Sequence, residues 1–139
     1  MGTVLHRVFD TLTELSQSDS PIPGLSTGLR DLDTKIHGLN KSDLVLVAAR
    51  PAMGKSTFSL NIGMNVAKKY NKTVAIFNLE MSREQLVMRL MSGESFVELG
   101  KLITGKLNEE ECGKLCMASA ALSQTDIRID DNPSVTVAD

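Results

Sequence analysis

Leu44-Val45-Leu46-Val47-Ala48-Ala49-Arg50-Pro51-Ala52-Met53-Gly54-Lys55-Ser56-Thr57 is the stretch whose reading decides the fold. Residues 44–47 are apolar with β-branched content and predict a buried strand. A turn follows, and then Phe58, Leu60, Asn61, Ile62, Met64, Asn65, Val66 and Ala67 continue with helical periodicity. Residues 49–56 fit the phosphate-loop pattern (Gly/Ala)-x-x-x-x-Gly-Lys-(Ser/Thr), with Ala49 in first place. The order strand, turn, helix has a chemical reason. A turn between strand and helix points successive backbone N–H groups inward, and a polyphosphate can sit in the resulting nest. The helix that follows adds its N-terminal dipole and unpaired N–H groups. Gly54 is expected to allow close backbone approach, because a Cβ there would collide with the phosphates. Lys55 can set an ammonium against the β- and γ-phosphates, the Ser56 hydroxyl can ligate Mg²⁺, and Thr57 supports the helix start. A short pattern of this kind also arises by chance in Gly- and Ala-containing turns; the flanking strand and helix signals favour nucleotide binding.

The 139 residues suffice for one compact domain and not for two. With 42% hydrophobic and 23% charged residues, composition is that of an ordinary soluble chain. A net charge of −2 gives no global footprint for nucleic acid, so any such contact must be local. No apolar run approaches the length that crosses a bilayer, and residues 1–8 lack a secretory pattern, so a cytoplasmic location is expected. Cys112 and Cys116, spaced C-x-x-x-C, share one helix face and are expected to line the core. His6 and His37 lie far away in sequence, which argues against a metal, and a reducing compartment argues against a disulfide.

Ahead of the loop, Val4, Leu5, Val8, Phe9, Leu12 and Leu15 recur at helical spacing and predict an amphipathic helix. Residues 16–24 are polar with two prolines and read as a tether, so the chain divides into residues 1–24 and 25–139. The helix can fold back on its own domain or dock on a neighbour. A short helix is expected next, capped by Ser26 or Thr27, with Leu29, Leu32 and Ile36 inward and Gly38 at its end. Residues 73–79 read as a second buried strand, parallel to the first through a right-handed crossover.

Glu80 stands at the end of that strand, where ligands of open parallel sheets bind. Position alone leaves two readings open. The carboxylate can orient or deprotonate a water attacking a γ-phosphate. It can equally be an acid that stabilises the start of the next helix. That helix opens with the capping box Ser82-Arg83-Glu84-Gln85, and Leu86, Val87, Leu90 and Met91 give its buried face. Met81, Met88 and Met91 are read as adaptable packing, and Ser92-Gly93 as an interruption. Asn108-Glu109-Glu110-Glu111 opens a further helix; its acids suit a helix N-terminus, with Cys112, Leu115, Cys116 and Leu122 as the stripe. Residues 127–131 form a short strand. Arg128 makes it alternating and half-exposed, so Asp130 is not read as the acid of a central, metal-holding strand. Thr136 to Asp139 look like a helix start, and the chain is expected to be a fragment.

Four pieces stand together: Ser26-Thr27-Gly28-Leu29 with Leu32-Asp33, residues 47–57, Asn78-Leu79-Glu80-Met81-Ser82 with Glu84-Gln85-Leu86, and Ile129-Asp130-Asp131. Together they closely resemble the linker and first half of the ATPase domain of DnaB-type replicative DNA helicases of bacteria. The resemblance implies a RecA-like α/β P-loop fold, truncated, with a parallel sheet flanked by helices and preceded by the linker helix. It further implies ATP and Mg²⁺ as cofactors, a homo-hexamer, and 5′-to-3′ movement on single-stranded DNA. A primase and a helicase loader are the partners it implies. Carried over by position, Lys55 binds phosphate, Ser56 ligates Mg²⁺ and Glu80 is the catalytic glutamate. The second Mg²⁺ acid, DNA-contacting loops and arginine finger of the family have no matching positions here. Two other readings are a RecA-like ATPase of recombination or clock type, and a nucleotide-binding oligomerisation module without turnover.

Overall fold

The computed structural model describes residues 2–17 and 22–134. Two compact units emerge, Met1–Leu44 and Val45–Asp139. Part of the expected tether, residues 18–21, and the expected helix start at Thr136 lie outside the described residues.

In the first unit, α1 spans Gly2–Gln17, and none of its residues is buried. The stripe of Val4, Leu5, Val8, Phe9, Leu12 and Leu15 is exposed along its whole length. The expected amphipathic helix is there, with its apolar face towards solvent. Helix α2 spans Arg30–Ile36, and Leu29 occupies its N-cap with no side-chain cap. Ser26 and Thr27 therefore do not cap it. Instead they serve Asp33, the buried residue of α2. Ser26 Oγ donates to Asp33 Oδ2 at 2.5 Å, and Thr27 N and Oγ1 each donate to Asp33 Oδ1 at 2.8 Å. A carboxylate withdrawn from water needs such donors, and that need outranks the local capping preference. Leu29 is exposed rather than inward. His37 (φ 58°) and Gly38 (φ 78°) end the helix in left-handed conformations. Gly38 also has no room for a side chain: a Cβ would lie 2.9 Å from Gly24 C, beside the antiparallel bridge of Leu25 and Leu39.

The second unit runs α3 (Lys55–Tyr70), β1 (Val74–Phe77), α4 (Arg83–Ser95), α5 (Leu99–Thr104), α6 (Glu109–Ser123) and β2 (Ile127–Asp130). Strands β1 and β2 pair in parallel, Val74 opposite Ile127 and Phe77 opposite Asp130. Parallel strands require a long crossover, and α4, α5 and α6 provide it. The core is Leu60 and Met64 of α3 with Leu86 and Leu90 of α4, and Ile76, Met81, Leu122 and Ile129 pack against it. Leu86 and Leu90 are one helical turn apart and only 2% and 4% exposed, as the α4 periodicity predicts. Ser92-Gly93 does not interrupt α4, which runs on to Ser95. Both capping boxes form, Ser82 with Gln85 and Asn108 with Glu111.

Further expectations are corrected. Residues 44–47 form no strand; Leu44 is 96% and Leu46 88% exposed. A strand exists through its ladder, and among the described residues no strand pairs with this segment. The crossover expected from it to residues 73–79 is accordingly not formed, and the parallel pair is β1 with β2. Strand β1 is four residues long and half-buried rather than buried, with Ala75 and Phe77 outward. Cys112 and Cys116 are exposed free thiols. The buried position of α6 is Ala118, about a third of a turn from Cys112 and nearly half a turn from Cys116, so the thiols lie off its inner face.

Candidate nucleotide-binding site

The site is built from the loop between residue 49 and α3, and from the turn between β1 and α4. Within the loop, Met53 N donates to Arg50 O at 3.3 Å, and Ala52 takes a positive φ of 64°. Gly54 follows with φ 84° as the N-cap of α3. An ideal Cβ on Gly54 would meet no heavy atom within 4 Å. Among the described residues the glycine is thus required by its left-handed backbone rather than by crowding. No side chain caps α3, and the first backbone bond across its start is Phe58 N to Gly54 O at 2.9 Å. The N–H groups of the first turn therefore face the loop without a side-chain acceptor, the arrangement that suits an anion.

Glu80 is carried by the turn of residues 78–82. Its Oε1 lies 3.9 Å from Lys55 Nζ, with both side chains substantially exposed. The fold thus brings together two residues that the chain separates by 25 positions. A cavity of about 550 Å³ is lined by all of residues 49–57, by Glu80, and by Arg89. Arg50, Lys55 and Arg89 set three cations against the single carboxylate of Glu80, so the lining is net positive and favours a polyanion.

Arg89 is the site residue that sequence reasoning missed. Its Nη1 donates to Thr57 Oγ1 at 3.3 Å. In the linear pattern it is a polar position of α4 between Met88 and Leu90. Its arrival at the loop depends on the packing of α4 against α3 through Leu60, Met64, Leu86 and Leu90. No local pattern states that packing. For a divalent cation the lining supplies hard oxygen donors, the Ser56 hydroxyl and the Glu80 carboxylate. Among the described residues no group of three or more His, Cys, Asp or Glu could hold a metal. Such a donor set fits Mg²⁺, which keeps water and phosphate oxygens and needs few protein ligands.

A parallel α/β unit with this loop ahead of a helix defines a protein of the P-loop class. The DnaB-like helicase C-terminal domain model matches residues 24–139, and the chain belongs to that family. It is 48% identical over 136 residues to the replicative DNA helicase DnaB of Geobacillus stearothermophilus, covering 98% of this chain and 30% of that protein. It is 45% identical to the replicative DNA helicase DnaC of Bacillus subtilis, with the same coverage. A solved ATPase domain superposes with a TM-score of 0.85 at 28% identity, covering 95% of this chain and 47% of its own. A structure of a DnaB-like replicative helicase and its interactions with primase gives 0.81 at 29%, covering 90% and 31%. The RecA-like α/β fold expected from the sequence is thereby shown. The chain spans about three tenths of the length of the curated relatives it matches. Among the described residues no helix is long and apolar enough to cross a membrane.

Proposed function

We propose that this chain binds ATP with Mg²⁺ in the cavity of residues 49–57 and acts as part of a hexameric DNA helicase that moves 5′-to-3′ on single-stranded DNA. The observation that supports this most is the convergence of Lys55, Ser56, Glu80 and Arg89 on one net-positive cavity from separate elements. In this reading Lys55 and Arg89 neutralise phosphate charge, and the backbone N–H groups of residues 52–56 hold phosphate oxygens. Ser56 is the residue that would hold Mg²⁺, which would supply charge stabilisation to the phosphates there. Glu80 orients the attacking water and takes its proton. Phosphoryl transfer depends on placing such groups together, because charge stabilisation and alignment supply most of the catalysis.

The exposed stripe of α1 supports the assembly part of the proposal. A free apolar stripe on an isolated helix is best buried on a second copy of the chain. Single-stranded DNA, a primase and a helicase loader are the further partners proposed, from the family alone; no DNA-contacting residue is assigned.

Titration with a fluorescent ATP analogue tests the nucleotide site. Replacing Lys55 by Ala removes a charge-assisted contact and is expected to cost about 2–4 kcal/mol, a loss of tens- to hundreds-fold in affinity. Unchanged affinity would sink the assignment.

A further inference from the structure

Glu80 is held by the backbone of its turn and not by packing, since its side chain is 70% exposed. That turn, residues 78–82, is fastened at both ends by consecutive residues at the end of β2. At one end Asn78 N donates to Asp130 O at 2.9 Å. At the other, Asp131 Oδ2 accepts from Arg83 N at 2.8 Å, and Asp131 Oδ1 accepts from Arg83 Nη2 at 3.1 Å. Inside the turn, Asn78 Nδ2 donates to Met81 O at 3.2 Å and Glu80 N donates to Asn78 Oδ1 at 3.4 Å. Arg83 is the first residue of α4, and its N–H is one of those a helix leaves without an internal partner. A carboxylate is favoured there by the helix dipole as well. The neighbouring Asp130 is occupied differently: its Oδ1 accepts from Asn132 N at 2.9 Å.

We propose that Asp131 is a positioning residue for the phosphoryl-transfer site, clamping Arg83 to the end of β2 so that the intervening turn holds Glu80 opposite Lys55. The proposal rests on the reading of Glu80 given above. Asp131 touches neither Glu80 nor the cavity lining; it acts through the turn. Without the clamp, α4 retains its Ser82–Gln85 capping box and its buried Leu86 and Leu90, so the helix stays in place. What loosens is the five-residue bridge that carries the carboxylate.

Two measurements on the full chain decide this. The first is amide hydrogen exchange in Asp131→Ala. Arg83 N loses its acceptor directly, so the telling amide is Glu80, whose exchange is expected to rise about tenfold while α3 amides keep their rates. Asp131→Asn keeps a weaker neutral acceptor for Arg83 N and is expected to give a rise of about threefold. If neither variant raises exchange at Glu80, the clamp is overturned, and Asp131→Asn alone decides the matter if Asp131→Ala does not fold. The second is a double-mutant cycle on nucleotide preference. Glu80→Gln removes a negative charge beside the γ-phosphate and should favour an ATP analogue over ADP by about two- to fivefold. Asp131→Ala should give part of that change alone and none in the Glu80→Gln background. Additive effects would overturn the proposal, because a residue acting only on stability has no reason to depend on Glu80. A wild-type chain that binds no nucleotide would defeat the reading of the cavity, and the exchange measurement would still decide the clamp.

Discussion

Lys55 and Glu80 approach to 3.9 Å with both side chains open to solvent, so their attraction adds little to stability. Its consequence is placement, leaving an ammonium and a carboxylate on the same side of one cavity. Arg89 stands differently, because it reaches the cavity from α4 and donates to Thr57 at the start of α3. Two roles are separable. If Arg89 serves as a phosphate-facing cation, Arg89→Ala should weaken ATP binding by about tenfold, the scale of one charge-assisted hydrogen bond. Thr57→Val, which removes the acceptor and keeps the cation, should then change affinity by less than about threefold. Equal losses in the two variants would show that Arg89 merely props the helix start. The same fluorescent titration used for Lys55 reads both.

At the scale of elements, α5 and α6 are joined by an ion pair that titrates. Glu111 is the third residue of α6, where its carboxylate accepts from Asn108 N and from Lys101 Nζ of α5. The Lys101 hydrogen bond first, and the Asn108 N–H second, hold the Glu111 carboxyl below its ordinary value of 4.5. Glu111 in turn raises Lys101 above 10.5. A depressed carboxyl contributes stability above 4.5 that is lost as pH falls through its folded value. A raised ammonium contributes below 10.5 and is lost as pH climbs through its folded value. Thermal unfolding should therefore show a plateau between those limits and an acid limb beginning below about pH 4.5. Glu110, Asp126 and Asp131, also lowered by hydrogen bonds, share that limb. Glu111→Gln should make it shallower without abolishing it; an unchanged limb would mean the pair is inert. Elements governed by such local chemistry were legible in the sequence: both capping boxes, the helical repeat of α3, and the alternation of β2 around Arg128. The start of α3 was legible too, because Gly54 marks it. What escaped depends on distant partners. Residues 44–47 have strand composition and no ladder; Ser26 and Thr27 have capping chemistry and spend it on Asp33; Cys112 and Cys116 have core chemistry and face water.

For the whole molecule, two of the apolar stretches exposed among the described residues bear on association, the α1 stripe and residues 44–47. Each is an incentive to associate, and they lead to different assemblies. A helix stripe docks in a groove of another copy and stops when that groove is filled, giving a closed and defined oligomer. Among the described residues the strand-like segment 44–47 has no strand partner and is exposed at Leu44 and Leu46, so it can pair with any edge, which is the route to open-ended aggregation. Sedimentation at increasing concentration distinguishes them when paired with two variants. Phe9→Asp plus Leu12→Asp puts two charges into the centre of the α1 stripe and should lower the mass of the defined species. The second unit should keep its fold, since α1 contributes no buried residue. Leu44→Lys plus Leu46→Lys should leave the defined species intact and reduce the fast-sedimenting material, because charge on an unpaired edge opposes further pairing. If the wild-type chain remains monomeric at high concentration, the α1 docking proposal fails for this chain. If only the Leu44 and Leu46 substitutions lower the mass, association runs through the unpaired segment and α1 has another use.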